Sequence, residues 1–233
     1  HEIREVLNDH FQADYGTIFS FVDERPLAAA SIAQVHRARH KDGSELVLKV
    51  QRPGIESIIG EDLSVIYTLA EWLQRYVPEA AVYDPLGIVD ELFKTLELET
   101  NFIVEANNIR RFSENFSEDP SVKIPTVRNS LSGQRVLVME YLEGIPLSSK
   151  EDLLEKGYDP ETVLRRGLRC YLKMVFQFGF FHGDLHGGNI LILSENQIGL
   201  IDFGVVGRLN RKTQAAIADM LLALQVEDYD RLA

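Results

Sequence analysis

The sequence predicts an α+β fold in two parts, a small antiparallel sheet with added helices followed by a mainly helical part. Three observations favour this class: short apolar strands around a Lys41-Asp42-Gly43 turn, two long amphipathic segments after them, and a later region richer in helices than in strands. At 233 residues and 45% hydrophobic composition, the chain can bury a substantial core in one or two lobes.

In the first part, apolar residues recur at helical spacing until Gly16, and strands then flank the Lys41-Asp42-Gly43 turn. Pro53 and Gly54 open a long amphipathic helix, which a second long helix follows. The expected elements are helices over 1–13, 55–77 and 85–115 and strands over 32–38, 45–51, 122–124 and 135–139.

The second part follows a connector over 140–146. Asp159 and Pro160 are typical of the N-cap and first turn of a helix that Gly179 ends. A hairpin of strands over 190–193 and 197–201 and a last helix over 212–224 complete it. This order predicts a bilobal protein-kinase-like fold, with an N-lobe over 1–139, a hinge over 140–146 and a partial C-lobe over 147–233. Because the chain starts at His1 inside a helical pattern, we expect a fragment truncated at both ends.

Composition excludes several classes of function. The net charge of -12 argues against nucleic acid as the main partner, since phosphate binding needs a basic face. Cys170 is the only cysteine, so no internal disulfide and no thiolate metal cage can form. The apolar stretch Met174 to Phe181 is far shorter than the roughly 20 residues that span a bilayer.

The polar motifs of the second part have the spacing of a phosphoryl-transfer site. His182-Gly183-Asp184 is followed by Asn189, and Asp202-Phe203-Gly204 comes after a strand hairpin. In kinases an aspartate at the position of Asp184 orients the acceptor hydroxyl, and residues at the positions of Asn189 and Asp202 hold Mg²⁺ on ATP. The sequence therefore predicts binding of ATP or ADP with Mg²⁺.

Lys49 ends the strand Leu46-Val47-Leu48-Lys49, where a kinase has the lysine that reaches the nucleotide phosphates. Such a lysine needs a carboxylate to hold it. The second long helix offers two, Glu99 and Glu105, and spacing alone leaves both open. Later, Met139, Glu140 and Leu142 occupy the positions of a kinase hinge, at the back and edge of an adenine pocket.

No glycine-rich loop precedes Lys49. Its place is taken by the alanine-rich segment Leu27-Ala28-Ala29-Ala30-Ser31-Ile32-Ala33-Gln34-Val35-His36. Alanine Cβ atoms occupy the space through which glycine backbone approaches phosphates, so this cover should be stiffer than a glycine loop.

The alanine-rich segment, Leu48-Lys49-Val50-Gln51-Arg52-Pro53-Gly54 and the His182 to Asn189 motif resemble the UbiB (AarF-type) atypical kinase-like family. The resemblance implies that Glu105 pairs with Lys49 and that Glu99 is the first acid of a Glu-x-Asp pair, in which Asn101 replaces aspartate. The family's Lys-x-Gly-Gln segment is absent from this sequence, as expected of a fragment. The nucleotide site implied by the resemblance is lined by Ala28, Ala29, Ala30, Ser31, Ile32, Val35, Lys49, Met139, Glu140, Leu142, Asn189 and Asp202.

By this resemblance the chain is an ATPase or phosphotransferase that supports isoprenoid-quinone (ubiquinone) biosynthesis or membrane lipid homeostasis. The implied partners are nucleotide, anionic lipid and quinone-biosynthesis proteins or precursors, at the cytoplasmic face of a membrane or inside a mitochondrion or plastid. Two alternatives stay open. The chain is also similar to aminoglycoside and choline kinases in its His-Gly-Asp-Leu-His motif, and its alanine segment and Asn101 allow a pseudokinase scaffold.

Overall fold

The computed structural model of this chain describes residues 2–227. The first residue of the expected N-lobe, His1, and the last six of the expected C-lobe, 228–233, lie outside the described residues. The described part forms seven α-helices and eleven β-strands in antiparallel-rich sheets, which confirms the α+β class. Packing divides the chain into a first unit, residues 1–107 and 126–141, and a second, residues 108–125 and 142–233. The unit boundary near 141 lies inside the hinge expected at 140–146, while residues 108–125 group with the second unit.

The first unit is built on one antiparallel sheet. Its strands are β1 (Phe19–Val22), β2 (Ala28–Ala29), β3 (Ala33–His40), β4 (Glu45–Gln51) and β6 (Val136–Glu140). They lie in the order β1-β3-β4-β6, and β2 pairs with the start of β3. Helix α1 (Glu2–Phe11) contributes Val6 and Leu7 to a core shared with Phe19, Leu48 and Val138. The strands predicted around the turn are confirmed, and β4 has the predicted bounds because its apolar run is buried throughout.

Two helices, not one, occupy the region predicted as a single helix over 85–115. After α2 (Ile55–Tyr76), the chain forms α3 (Pro85–Glu99) and then α4 (Phe102–Asn115). The prediction of a continuous helix was wrong because Asn101 starts a new one: its Oδ1 accepts the backbone N–H of Ile103 at 3.0 Å, which satisfies a donor of the first turn. Gln51 also donates to the Thr100 carbonyl from β4, so the break is fixed to the sheet.

Asn101→Ala is expected to lower the stability of the fold by about 1 kcal/mol, because it removes the N-cap of α4. In a chain of this size that corresponds to a fall in Tm of about 2–4 °C. Asn101→Asp should keep the parent Tm, since aspartate caps a helix as well as asparagine does. Equal Tm values for the alanine and aspartate variants would contradict the capping role.

The second unit contains two smaller sheets. Strand β5 (Val122–Lys123) pairs parallel with β10 (Ile198–Leu200), which pairs antiparallel with β9 (Ile190–Ile192), next to β7 (Ile145–Pro146). The other sheet joins β8 (Phe180–His182) to β11 (Val206–Arg208). Helices α5 (Lys150–Glu155), α6 (Pro160–Leu172) and α7 (Arg211–Gln225) complete the unit. The β9–β10 hairpin and the last helix are confirmed.

Helix α6 begins as predicted, with the Asp159 side chain accepting from the N–H of Glu161 and with Pro160 in its first turn. It runs into a π-helical turn, Lys173–Phe178, which Gly179 ends at φ +60°. A side chain at Gly179 would meet the Leu209 carbonyl at 2.6 Å, so glycine is required there both for its φ and for the close approach.

Two findings bear on the exclusions drawn from composition. Cys170 is buried in α6, and burial raises its thiol pKa to about 12, so the thiolate is not populated at neutral pH. Across residues 2–227, none of the helices has the length and apolar character that crossing a membrane requires.

Candidate functional site

Lys49 and Glu105 form a buried ion pair in the first unit. The Lys49 Nζ lies 2.9 Å from both Oε1 and Oε2 of Glu105. Their side chains are only 11% and 4% exposed, which shields the pair from solvent. Of the two glutamates that sequence spacing left open, Glu105 is the one in contact with the strand lysine.

The sheet and α4 together produce this contact. Lys49 lies opposite Val35 of β3 and Leu137 of β6, in the middle of the sheet. Phe102 is the first residue of α4, and its backbone N–H donates to the Gln134 carbonyl at 3.0 Å. The Phe102 ring lies 5.5 Å from the Lys49 ammonium, and Glu105 follows it by three residues on the same side of the helix.

Glu99 and Asn101 lie at the junction of α3 and α4. Glu99 is the last residue of α3 and is half-buried, and the Asn101 amide oxygen is used to cap α4. An aspartate at position 101 could cap the helix in the same way, so the exchange for asparagine keeps the cap and removes one negative charge. A metal or gating role for this pair stays a prediction.

The alanine-rich segment folds as a tight hairpin. Ala28 and Ala29 pair with Val35 and Gln34, and the Ala30 N–H donates to the Ala33 carbonyl at 2.9 Å, across Ser31 and Ile32. All of residues 27–36 are described, and none of them has a positive φ. The segment therefore makes its turn without the left-handed conformers that glycine supplies in a glycine-rich loop.

Arg52 secures this hairpin from the strand side, a role that the sequence did not indicate. Its backbone N–H donates to the Ile32 carbonyl at 2.9 Å, and its Nε donates to the Ala30 carbonyl at 3.0 Å. Ala28, Ala29, Ala30 and Ser31 are exposed, while Ile32 and Val35 are half-buried. The two bonds from Arg52 fix the hairpin tip to the end of β4.

The predicted hinge residues lie on both sides of the unit boundary. In the first unit, Met139 is buried in β6, and the Glu140 N–H donates to the Thr126 carbonyl at 2.9 Å. Leu142 is buried in the second unit, where it lies against Gly199 of β10. Their contacts with a nucleotide stay predictions.

In the second unit, the segment from His182 to Asn189 is held by its own hydrogen bonds. The His182 Nε2 lies 3.2 Å from the Ile201 carbonyl and its Nδ1 lies 3.2 Å from the Asp184 N–H. These partners require a proton on Nε2 and a lone pair on Nδ1, which assigns a neutral imidazole. The Asn189 Nδ2 donates to the Asp184 carbonyl at 2.9 Å, while the Asp184 carboxylate is 62% exposed. Asp184 thus has a fixed backbone and an accessible carboxylate.

Gly183 stands where kinases have arginine, and the structure gives a steric reason. Its N–H donates to the Val205 carbonyl at 2.9 Å, and a Cβ at this position would come within 2.8 Å of Val205 Cγ1. A side chain at residue 183 is therefore incompatible with this approach of the two segments.

The Asp202-Phe203-Gly204 segment has an unusual backbone. Asp202 has φ +59°, in the left-handed region that few non-glycine residues adopt. The Ile201 N–H donates to the Asn189 carbonyl at 3.1 Å, and the Gly204 N–H lies 3.3 Å from Asp202 Oδ1. Phe203 is fully buried, with its ring 5.0 Å from Phe112 and 5.5 Å from His182. The surrounding contacts hold Asp202 in this strained conformation.

Asn108 is a second residue that the sequence analysis missed. It is 6% exposed, and its Nδ2 donates to the Phe203 carbonyl at 2.9 Å. Its position in the sequence gave one signal: Asn108 is a polar residue beside the buried apolar stripe of α4. Four residues form this stripe, Phe102, Ala106, Ile109 and Phe112. Polar residues are buried only when they have a partner, but periodicity does not identify the partner.

The donor set fits Mg²⁺ bound together with phosphate. Within residues 2–227, His, Cys, Asp and Glu side chains form no group of three or more that could hold a metal by themselves. Mg²⁺ is commonly held by one or two protein oxygens plus substrate phosphates and water. Because its Nδ2 is engaged with Asp184, Asn189 presents Oδ1, an oxygen, as the remaining atom of its amide. Asn189 and Asp202 are thus suitable ligands for Mg²⁺ on a nucleotide.

Comparison with known proteins shows the family. A model of the ABC1 atypical kinase-like domain matches residues 1–233. A "probable protein kinase UbiB" of Aeromonas salmonicida is 40% identical over 223 residues, which is 93% of this chain and 41% of that protein. The chloroplastic "ACTIVITY OF BC1 COMPLEX KINASE 1" of Arabidopsis thaliana is 39% identical over 98% of this chain and 34% of its own length. The chain thus spans less than half the length of these relatives.

A solved structure, the complex of Rv3197 with erythromycin from Mycobacterium tuberculosis, matches with a TM-score of 0.79. It is 28% identical, and the match covers 98% of this chain and 57% of that one. The match confirms the kinase-like fold predicted from the order of elements. The family model and the UbiB relatives confirm the resemblance drawn from the motifs, and this chain belongs to the ABC1 atypical kinase-like family.

Proposed function

We propose that this chain binds ATP or ADP with Mg²⁺ and acts as a kinase-like ATPase or phosphotransferase. The observation that carries the proposal is the buried ion pair between Lys49, on an inner strand of the sheet, and Glu105 of α4. Burying an ion pair costs more desolvation energy than its attraction commonly returns, so its presence favours a functional role over a stabilising one. Phosphoryl transfer uses such a pair to align nucleotide phosphates.

Residues of the second unit would supply the remaining steps. Asp184, with its fixed backbone and exposed carboxylate, would accept a hydrogen bond from the attacking water or hydroxyl and take its proton. Asn189 and Asp202 would hold Mg²⁺, which when bound neutralises charge on the phosphate oxygens. His182, neutral and buried, would orient Asp184 through the backbone instead of exchanging protons.

The base and phosphates would lie against the predicted lining. Met139 and the backbone of Glu140 and Leu142 would face the adenine, and the exposed Ala28 to Ser31 tip would cover the phosphates. Arg52 would keep this cover in one position through the Ala30 carbonyl.

In the cell, the proposed role is support of isoprenoid-quinone (ubiquinone) biosynthesis or membrane lipid homeostasis. The resemblance to the UbiB family supports this role, and a chloroplastic relative supports a position inside an organelle. A peripheral position on a membrane is part of the same proposal. The partners we propose are quinone-biosynthesis proteins or precursors and anionic lipid.

A nucleotide-binding scaffold without turnover is the second candidate, and one observation favours it. The Ala30 N–H is engaged by the Ala33 carbonyl, at the tip where a glycine loop would turn backbone N–H groups toward the phosphates. A cover that donates fewer hydrogen bonds to the γ-phosphate would stabilise the transition state less.

Asp184→Asn separates the two candidates. If the chain turns over ATP, the variant should release phosphate at least about 100-fold more slowly, as expected on losing a general base, while Mg²⁺·ATP still raises its Tm. Asp152→Asn, an exposed aspartate of α5, is the matched control and should retain the parent rate.

The Tm rise and the phosphate release of the parent protein also distinguish the two candidates. A Tm rise with Mg²⁺·nucleotide and no phosphate release would support the scaffold. Absence of any Tm rise with either nucleotide, with and without Mg²⁺, would reject both candidates.

A further inference from the structure

One peptide unit connects Asn108 to the carboxylate of Asp202. The carbonyl and the N–H of the peptide between Phe203 and Gly204 belong to a single rigid plane. Its carbonyl accepts from Asn108 Nδ2 at 2.9 Å, and its N–H donates to Asp202 Oδ1 at 3.3 Å. A rotation of this plane breaks both contacts together.

The peptides on either side of this plane have anchors of their own. On one side, the Ile201 N–H and carbonyl are bonded to Asn189 and His182. On the other, the Val205 carbonyl accepts from Gly183, and β11 pairs with β8. Between them, a flip of the Phe203–Gly204 peptide would give residue 204 a positive φ, which glycine adopts at no steric cost.

In this structure, however, Gly204 is not among the glycines with positive φ. The observed φ at residue 204 thus lies outside the left-handed region, and glycine provides access to the flipped orientation. Asn108, buried and donating to the carbonyl, favours the observed orientation because a flip would leave both its amide and the carbonyl without this bond.

We infer that Asn108 is a positioning residue: it holds the Phe203–Gly204 peptide so that the peptide N–H orients the Asp202 carboxylate for Mg²⁺. Its effect on Mg²⁺ rests on the proposed function, whereas its effect on the peptide does not. Asn108 acts through the backbone and touches neither metal nor nucleotide in this role.

Asn108→Leu tests the inference, since leucine has a similar size and cannot donate. Two measurements are made on the whole chain: hydrogen exchange of the amides of residues 201–206 by mass spectrometry, and the Mg²⁺ concentration that gives half of the nucleotide-dependent Tm rise. Exchange should become faster, and the half-maximal Mg²⁺ concentration should rise by about 5- to 100-fold, the change expected when the buried hydrogen bond from Asn108 is removed. The Tm rise that nucleotide gives in EDTA should not change.

Asn107→Leu is the matched control, because Asn107 is the preceding residue of α4 and is exposed. A rescue variant adds specificity. Gly204→Ala disfavours the flipped peptide, and its Cβ would lie 3.4 Å from Asp202 Oδ1, an ordinary contact. In the Asn108→Leu background it should return exchange and Mg²⁺ dependence toward the parent, which a general loss of packing would not allow.

Exchange in residues 201–206 that is the same for Asn108→Leu and Asn107→Leu would overturn the inference, whatever the nucleotide result. If the parent protein shows no Mg²⁺-dependent Tm rise, the proposed function is rejected instead. Hydrogen exchange of Asn108→Leu, and its reversal by Gly204→Ala, would then decide the role of Asn108. If Asn108→Leu does not fold, Asn108→Asp, which keeps the size and places an acceptor against the carbonyl, is measured in its place and should show faster exchange.

Discussion

Glu105→Gln is expected to lower the free energy of unfolding by about 3–5 kcal/mol, because it removes the carboxylate charge of a buried ion pair. The change keeps the size of the side chain, so the loss comes from charge and not from a cavity. Chemical denaturation of parent and variant measures it.

The exposed pair between Glu161 and Arg165 is the control for this measurement. Its side chains are 79% and 77% exposed, and its oxygen and nitrogen lie 2.6 Å apart. Glu161→Gln should change stability by about 0.5 kcal/mol or less, since exposed pairs within a helix contribute little. Equal effects of the two substitutions would contradict the assignment of Lys49–Glu105 as a buried pair.

The pair can also be replaced as a whole. Lys49→Met with Glu105→Leu should restore stability to within about 1 kcal/mol of the parent, because apolar residues of similar volume replace buried ion pairs at little cost. The double variant should nevertheless show no nucleotide-dependent Tm rise. Restored stability with retained nucleotide binding would reject the functional role of the pair.

Asp202→Asn should weaken the Mg²⁺-dependent part of nucleotide binding. We expect a loss of about 10- to 100-fold in Mg²⁺ affinity, because the amide keeps an oxygen ligand and loses the negative charge that a hard cation prefers. Asparagine is chosen because it accepts a left-handed φ about as readily as aspartate, whereas alanine at φ +59° would add strain. Thermal shift over a Mg²⁺ titration measures the change.

Glu195→Gln is the matched control, because it also replaces a carboxylate with an amide at a residue whose φ is positive. Glu195 has φ +57° and lies in the turn between β9 and β10 of the same unit. The control should keep the parent Mg²⁺ dependence. A Tm rise of Asp202→Asn that requires the same Mg²⁺ concentration as the parent would show that Asp202 is not a ligand.

The fold was predictable wherever a local pattern coincides with a buried face. The apolar run over 45–51 gave β4 its bounds, and the Asp159-Pro160 pair gave α6 its start, because these signals act within a few residues. The short strands β1, β2, β7, β8 and β11 were not predicted. Each has only two to four residues and is defined by its partner strand more than by its own sequence.

The break between α3 and α4 shows why a local pattern was insufficient. Apolar spacing continues through Thr100 and Asn101, so periodicity favours one helix. The Gln51 side chain and the Gln134 carbonyl, both distant in sequence, fix the new helix start together with the Asn101 cap. Contacts with distant residues therefore set the position of the break between α3 and α4, which the helical periodicity did not indicate.

The sequence by itself determined the family of this chain and the kinds of residue available for phosphate and Mg²⁺, because motif spacing is written along the chain. The family resemblance already implied that Glu105 pairs with Lys49, and the structure shows the two in contact. Only the tertiary structure decided that Arg52 fixes the alanine hairpin and that Asn108 donates to Phe203. Each of these contacts joins residues 22 to 95 positions apart. A hydrogen bond depends on the distance and direction between two groups in space, which the folded backbone sets and a local pattern does not.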